Sequence, residues 1–195
     1  MKPTSSKTNF PRIITALLLA AMSSAPSAFA ANLTKAATGT DLTAGASWSG
    51  AAAPGTSDVA LWDTGSLGTG LTLNSGTASW SGIKLNSGAT DPVNIGSGGT
   101  LTLGTYGIDL SSSAINATIS SGLTLGAGNQ LWNLKAASSR TLTVNGAFTR
   151  TTGSALMITT NATGGIGTVK FSPALVNGLV PWAIMTNSGT AANNS

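Results

Sequence analysis

The stretch Gly99-Thr-Leu-Thr-Leu-Gly-Thr-Tyr-Gly-Ile-Asp-Leu-Ser-Ser112 decides the fold. It holds two copies of one short unit, Leu101-Thr102-Leu103 and Ile108-Asp109-Leu110. In extended chain, alternate residues point to opposite faces. Each aliphatic pair therefore shares a face, and Thr102 and Asp109 point the other way. The two units start seven residues apart, with Gly104 and Gly107 between them. Glycine lets the chain turn sharply without a Cβ penalty, so the stretch reads as two consecutive sides of one coil. It also carries the only tyrosine of the chain, Tyr106, and sets Asp109 in a Gly-x-Asp context that resembles part of a calcium-binding turn. A calcium β-roll needs that motif in tandem, because each ion takes about six to eight oxygens. No tandem copy follows, so Asp109 reads as a turn residue and Tyr106 as a surface residue.

Outward from that stretch the unit recurs as Leu71-Thr-Leu73, Val93-Asn-Ile95, Leu123-Thr-Leu125, Trp132-Asn-Leu134 and Leu142-Thr-Val144. Strands this short give a thin core to a β-sandwich, where about 5–6 residues is usual. In a solenoid each inward pair instead stacks on its counterparts in the coils above and below. The expected fold class is all-β, a parallel β-helix (β-solenoid) with an aromatic-rich N-terminal cap; a β-sandwich is the alternative. Leu101 to Leu123 is 22 residues and Leu123 to Leu142 is 19, both suitable for one coil. The cap is expected from Trp48, Trp62 and Trp80, since large aromatics can cover the open end of a first coil.

The N-terminal residues follow a different logic. Lys2, Lys7 and Arg12 precede an apolar run from Ile13 to Met22, and Ala28-Phe29-Ala30 ends it in a small-x-small pattern. This is the design of a secretory signal peptide, with cleavage expected between Ala30 and Ala31. The run falls short of the roughly 20 residues that cross a bilayer, so no membrane span is expected in the mature chain. The expected organisation is a signal at 1–30, a cap with the first coils at 31–80, solenoid coils at 81–184, and a truncated or frayed tail at 185–195.

Charge and composition narrow the function. Beyond residue 30 stand Lys35, Lys84, Lys135, Arg140, Arg150 and Lys170 against Asp41, Asp58, Asp63, Asp91 and Asp109, a net charge of +1. The cations are scattered singly, whereas a nucleic-acid footprint needs them clustered. No nucleic-acid partner is expected. The sequence contains no Cys, His or Glu. Disulfides, thiol chemistry and Ser-His-Asp or Cys-His catalysis are excluded, and zinc and most transition metals lose their preferred ligands. No cofactor and no catalytic residue is assigned.

Trp48-Ser-Gly, Pro54-Gly55, Asp58 and Ala60-x-Trp62 form an ordered block, W-S-G-x-x-x-P-G-x-x-D-x-A-x-W. The block resembles the N-terminal portion of secreted proteins with autotransporter-associated β-strand repeats, of planctomycete and verrucomicrobial type. Gly99 to Ser111, Leu123 to Trp132 and Arg140 to Gly146 resemble the units that follow, and Leu179 to Ile184 looks like a segment that leads into further repeats. The resemblance covers most of 46–184. It implies an exported, surface-associated β-helical passenger with no catalytic residues to carry over. Two features depart from it: no membrane β-barrel and no C-terminal sorting helix precede Ser195.

Three site readings remain. Asp58 and Asp63 are a candidate pair for glycoside cleavage, which needs carboxyls about 5–10 Å apart, but an odd offset on a strand puts them on opposite faces. Trp62 and Trp80, if exposed, could stack on sugar rings; packing in the core or cap is the alternative. The Asn-x-Thr sequons at Asn32, Asn116 and Asn161 are expected by chance in so Asn- and Thr-rich a chain. The expected function is that of a non-catalytic structural or adhesive passenger at the bacterial cell surface, with surface glycans or other surface components as partners. A carbohydrate-binding module is the alternative, and a polysaccharide-degrading β-helix enzyme stands behind it.

Overall fold

The structure, a computed structural model, describes residues 30–74, 76–134, 139–162, 165–172 and 181–186. The expected signal segment up to residue 29, including Ala28, lies outside the described residues, as do Lys135 and most of the expected tail. Ala30 and Ala31 are exposed and lead into the first strand. The Ala31 carbonyl accepts the Val59 N–H at 2.8 Å, which fastens the chain to the next coil from its first described residues.

The chain is an all-β parallel solenoid of about five turns. Each coil has three sides. On the first face, Asn32–Thr34, Val59–Trp62, the distal half of Thr77–Leu85, the distal half of Thr100–Asp109, Gln130–Asn133, Leu156–Thr159 and Ala183–Thr186 pair in succession. On the second face, Val93–Ile95, Ala117–Ile119, Arg140–Val144 and Gly165–Phe171 pair likewise, and bridges at Leu71↔Ile95 and Asp41↔Thr72 extend it backward. The third face comprises the proximal halves of Thr77–Leu85 and Thr100–Asp109, followed by Gly122–Leu125 and Phe148–Arg150. The third and first faces are one bent sheet, because Thr77–Leu85 and Thr100–Asp109 run around the corner between them. Asn161–Ala162 pairs antiparallel with Gly165–Ile166, a departure from the parallel pattern at the second face.

Alternation dictates what is inside. Leu101, Leu103, Ile108 and Leu110 are buried while Thr102 and Asp109 are only partly covered, as the opening stretch requires. Leu101, Leu123 and their partner Ala78 stack inward on the third face. Val93, Ala117 and Leu142 do so on the second. The whole forms one apolar cluster from Leu42 to Ile158. At about 25 cal/mol per Å² of apolar surface removed from water, this continuous column supplies the main stabilising force.

Coil length differs from the sequence reading. Leu123 pairs with Phe148, 25 residues on, and Leu142 pairs with Ala117 on another face. The 19-residue step from Leu123 to Leu142 therefore joins two sides and not two coils. The triplet motif is the same on every face, so its spacing alone does not say which copies stack.

Trp62 and Trp80 are core residues of the coils that hold them, 0% and 1% exposed. Trp48 packs edge-on to both, with ring centroids 5.7 Å away in each case. Trp48 follows a single 3-10 turn, Gly45–Ser47, and its neighbours return antiparallel to the first strand: Ala36 N–H bonds Ser47 O and Ser49 N–H bonds Thr34 O. The aromatic cluster is thus assembled by stacking, and the return segment covers part of the first edge.

Candidate functional site

The bend between the third and first faces gathers an aromatic ring, a carboxylate, an amide and aliphatic side chains around one hollow. In Thr77–Leu85 only Ser81 separates the two paired halves, whereas in Thr100–Asp109 the residues Gly104, Thr105 and Tyr106 do. That bulge pushes Tyr106 out over the preceding coil. Its ring lies against Gly82, where even a methyl group would come within 2.6 Å of Cδ1. The next residue, Gly107, has φ +74° and lies so close to the following coil that a Cβ would sit 2.3 Å from Leu131 O. Only glycine satisfies both demands.

Tyr106, Ile108, Asp109, Leu131 and Asn133 line a hollow of about 150 Å³. Asp109 is the outward residue at the end of its strand, and its carboxylate caps the turn that follows. Its Oδ1 accepts the Ser111 N–H at 2.9 Å, and Tyr106 OH lies 3.5 Å from Oδ2. The Tyr106 phenol is pushed up to about 12, first because it is partly buried and next because the Asp109 carboxylate faces it. Asn133 is in register with Asp109, and its Oδ1 accepts from Thr159 Oγ1 at 3.1 Å one coil further on.

The remaining sequence candidates lie elsewhere. Trp62 and Trp80, considered for sugar stacking, are buried; their indole faces are filled by each other and by Trp48. Stacking a sugar on either would require opening the core. Asp58 accepts the Gly55 N–H at 2.9 Å and the Ala31 N–H at 3.4 Å, and Asp63 accepts from Thr64 N and Asn86 Nδ2 at 2.9 and 3.0 Å, so each ties its own turn to a neighbouring coil. The hydrogen bond from Asn86 holds the Asp63 carboxyl below its ordinary range, with the Thr64 N–H adding to it. Asp41 is lowered likewise, by the Thr43 hydroxyl first and its N–H second. Lys35 is buried; its Nζ donates to Ala36 O and Thr38 O at 2.9 and 2.8 Å, and burial lowers its pKa. No three of His, Cys, Asp and Glu come together in metal-holding positions among the described residues.

Sequence reasoning overlooked Leu131, Met157 and Ile184. Each is an outward residue of its strand and in register with the next, at a place where the two preceding coils put Gly82 and Gly107. An apolar residue at that position is a readable signal, but only once the phase of each strand is known. The triplet Trp132-Asn-Leu134 holds, with Trp132 and Leu134 buried and Asn133 outward; the strand starts earlier, at Gln130, and Leu131 is a further outward residue ahead of the triplet. No family model, curated protein or solved structure matches this chain.

Proposed function

We propose that this chain is an exported, non-catalytic β-solenoid with a structural or adhesive role at the bacterial cell surface, similar in kind to the passengers of autotransporter-associated repeat proteins. The observation that carries the reading is the continuity of the stack. Inward aliphatics and outward hydroxyl and amide ladders repeat coil after coil: Thr124 on Thr149 at 2.9 Å, and Asn145 between Ser120 and Ser172 at 3.3 and 2.8 Å. Such a stack extends by adding coils and needs neither disulfide nor metal to hold it. The sequence, without His, Cys or Glu, offers little to a catalyst. The signal-like N-terminus supplies the route outward.

Protease shaving of intact producing cells, followed by N-terminal sequencing, tests the reading. The expected result is a surface-accessible chain beginning at Ala31. An uncleaved chain confined to the cytosol overturns it.

A further inference from the structure

The outward side of the first face carries two unlike columns. Parallel register stacks Leu131, Met157 and Ile184 one above another, 37%, 44% and 66% exposed. Two residues along each strand a polar column runs beside them: Asp109, Asn133, Thr159 and Thr186. Tyr106 closes one end. The hollow at Tyr106 and a second of about 350 Å³, bordered by Thr105, Gln130, Met157 and Ile184, meet at Leu131, so a shallow groove follows the apolar column along the axis and the polar column borders it at the Tyr106 end. Coils rise about 4.8 Å each, so from Gly107 to Ile184 the groove is about 14 Å long.

We propose that this groove binds a linear, neutral glycan lying parallel to the solenoid axis. This deepens the adhesive reading given above and rests on it. A pyranose ring has apolar C–H faces and a rim of hydroxyls, so it suits an apolar strip flanked by a hydrogen-bonding strip. Tyr106 and Leu131 supply the first platform, with an aromatic ring that is amphipathic and held in place by Gly82. Asp109 and Asn133 supply the hydrogen-bonding edge, oriented by the bonds they accept from Ser111 and Thr159. Both the groove and a linear sugar chain are periodic, and one pyranose unit is about as long as one coil rise.

Other occupants fit less well. A peptide adding a strand needs an unpaired sheet edge, yet Leu156–Thr159 is paired on both sides, to Gln130–Asn133 and to Ala183–Thr186. A purely aliphatic ligand leaves the polar column unused. A polyanionic glycan finds no net charge to pair with, because Asp109 stands in register with Lys84 of the preceding coil.

Calorimetry and native affinity gels with cello-, xylo- and mannohexaose and the matching soluble polymers test the proposal on the purified chain. At least one probe should bind. Tyr106→Ala and Met157→Lys should each weaken it by on the order of tenfold or more, the loss of one stacked or apolar subsite. Met157 points outward, so its replacement leaves the core intact, and Thr124→Lys on the third face should leave binding unchanged. Failure of every probe to bind a chain with an intact strand-type circular dichroism spectrum overturns the glycan site and leaves the scaffold reading standing. Binding that survives both groove variants also overturns it. So does a dimer that Met157→Lys converts to monomer, which assigns the groove to a second copy.

Discussion

Tyr106 shows how much one side chain depends on its neighbours in other coils. Its ring rests on Gly82, a residue 24 positions earlier, and its hydroxyl faces Asp109. Being the only tyrosine, it reports on itself without substitution. Absorbance titration of tyrosinate should give a midpoint near 12 in the folded chain and near 10 in the urea-unfolded chain. The folded state then holds a proton that the unfolded state has released. Its contribution to stability is therefore complete below pH about 10 and declines as pH rises through 12. Asp109→Asn should lower the native midpoint only part of the way, because burial is the larger cause. A native midpoint at 10 would show that the ring does not lie on Gly82.

Within an element, the bent strand Thr100–Asp109 turns on Gly107. Gly107 and Gly65 share the same φ of +74°, but nothing lies within 4 Å of a Cβ at Gly65, whereas one at Gly107 meets Leu131 backbone. Gly65→Ala should cost about 1–2 kcal/mol, the left-handed penalty alone. Gly107→Ala adds an overpacking contact between coils and should cost about 2–5 kcal/mol. Urea midpoints of the two variants make the comparison, and equal losses would refute the close approach of these coils. The glycine itself is plain in the sequence. What distinguishes it from Gly65 is a strand 24 residues away, which no local pattern announces.

At the scale of the whole molecule, the inward column is one cluster, so neighbouring coils are expected to unfold together and not one by one. Trp48, Trp62 and Trp80 mark one end; Trp132 and Trp182 mark the other, packed with Phe148 and Phe171 and with Arg150 5.3 Å above the Trp182 ring. In the Trp132→Phe, Trp182→Phe double variant, fluorescence reports the N-terminal end alone. Its urea midpoint should coincide with that from far-UV circular dichroism, and two separated transitions would mean that the ends fold independently. The sequence by itself determined the all-β class, the inward and outward assignment of each aliphatic triplet and the choice of solenoid, because alternation and turn residues are local. Only the tertiary structure decided which triplets stack, that Trp62 and Trp80 are sealed inside, and that Leu131, Met157 and Ile184 line up beside Asp109 and Asn133. The physical reason is register. Strands 22 to 27 residues apart are matched by backbone ladders between coils of unequal length, and those pairings exist only once the coils are stacked.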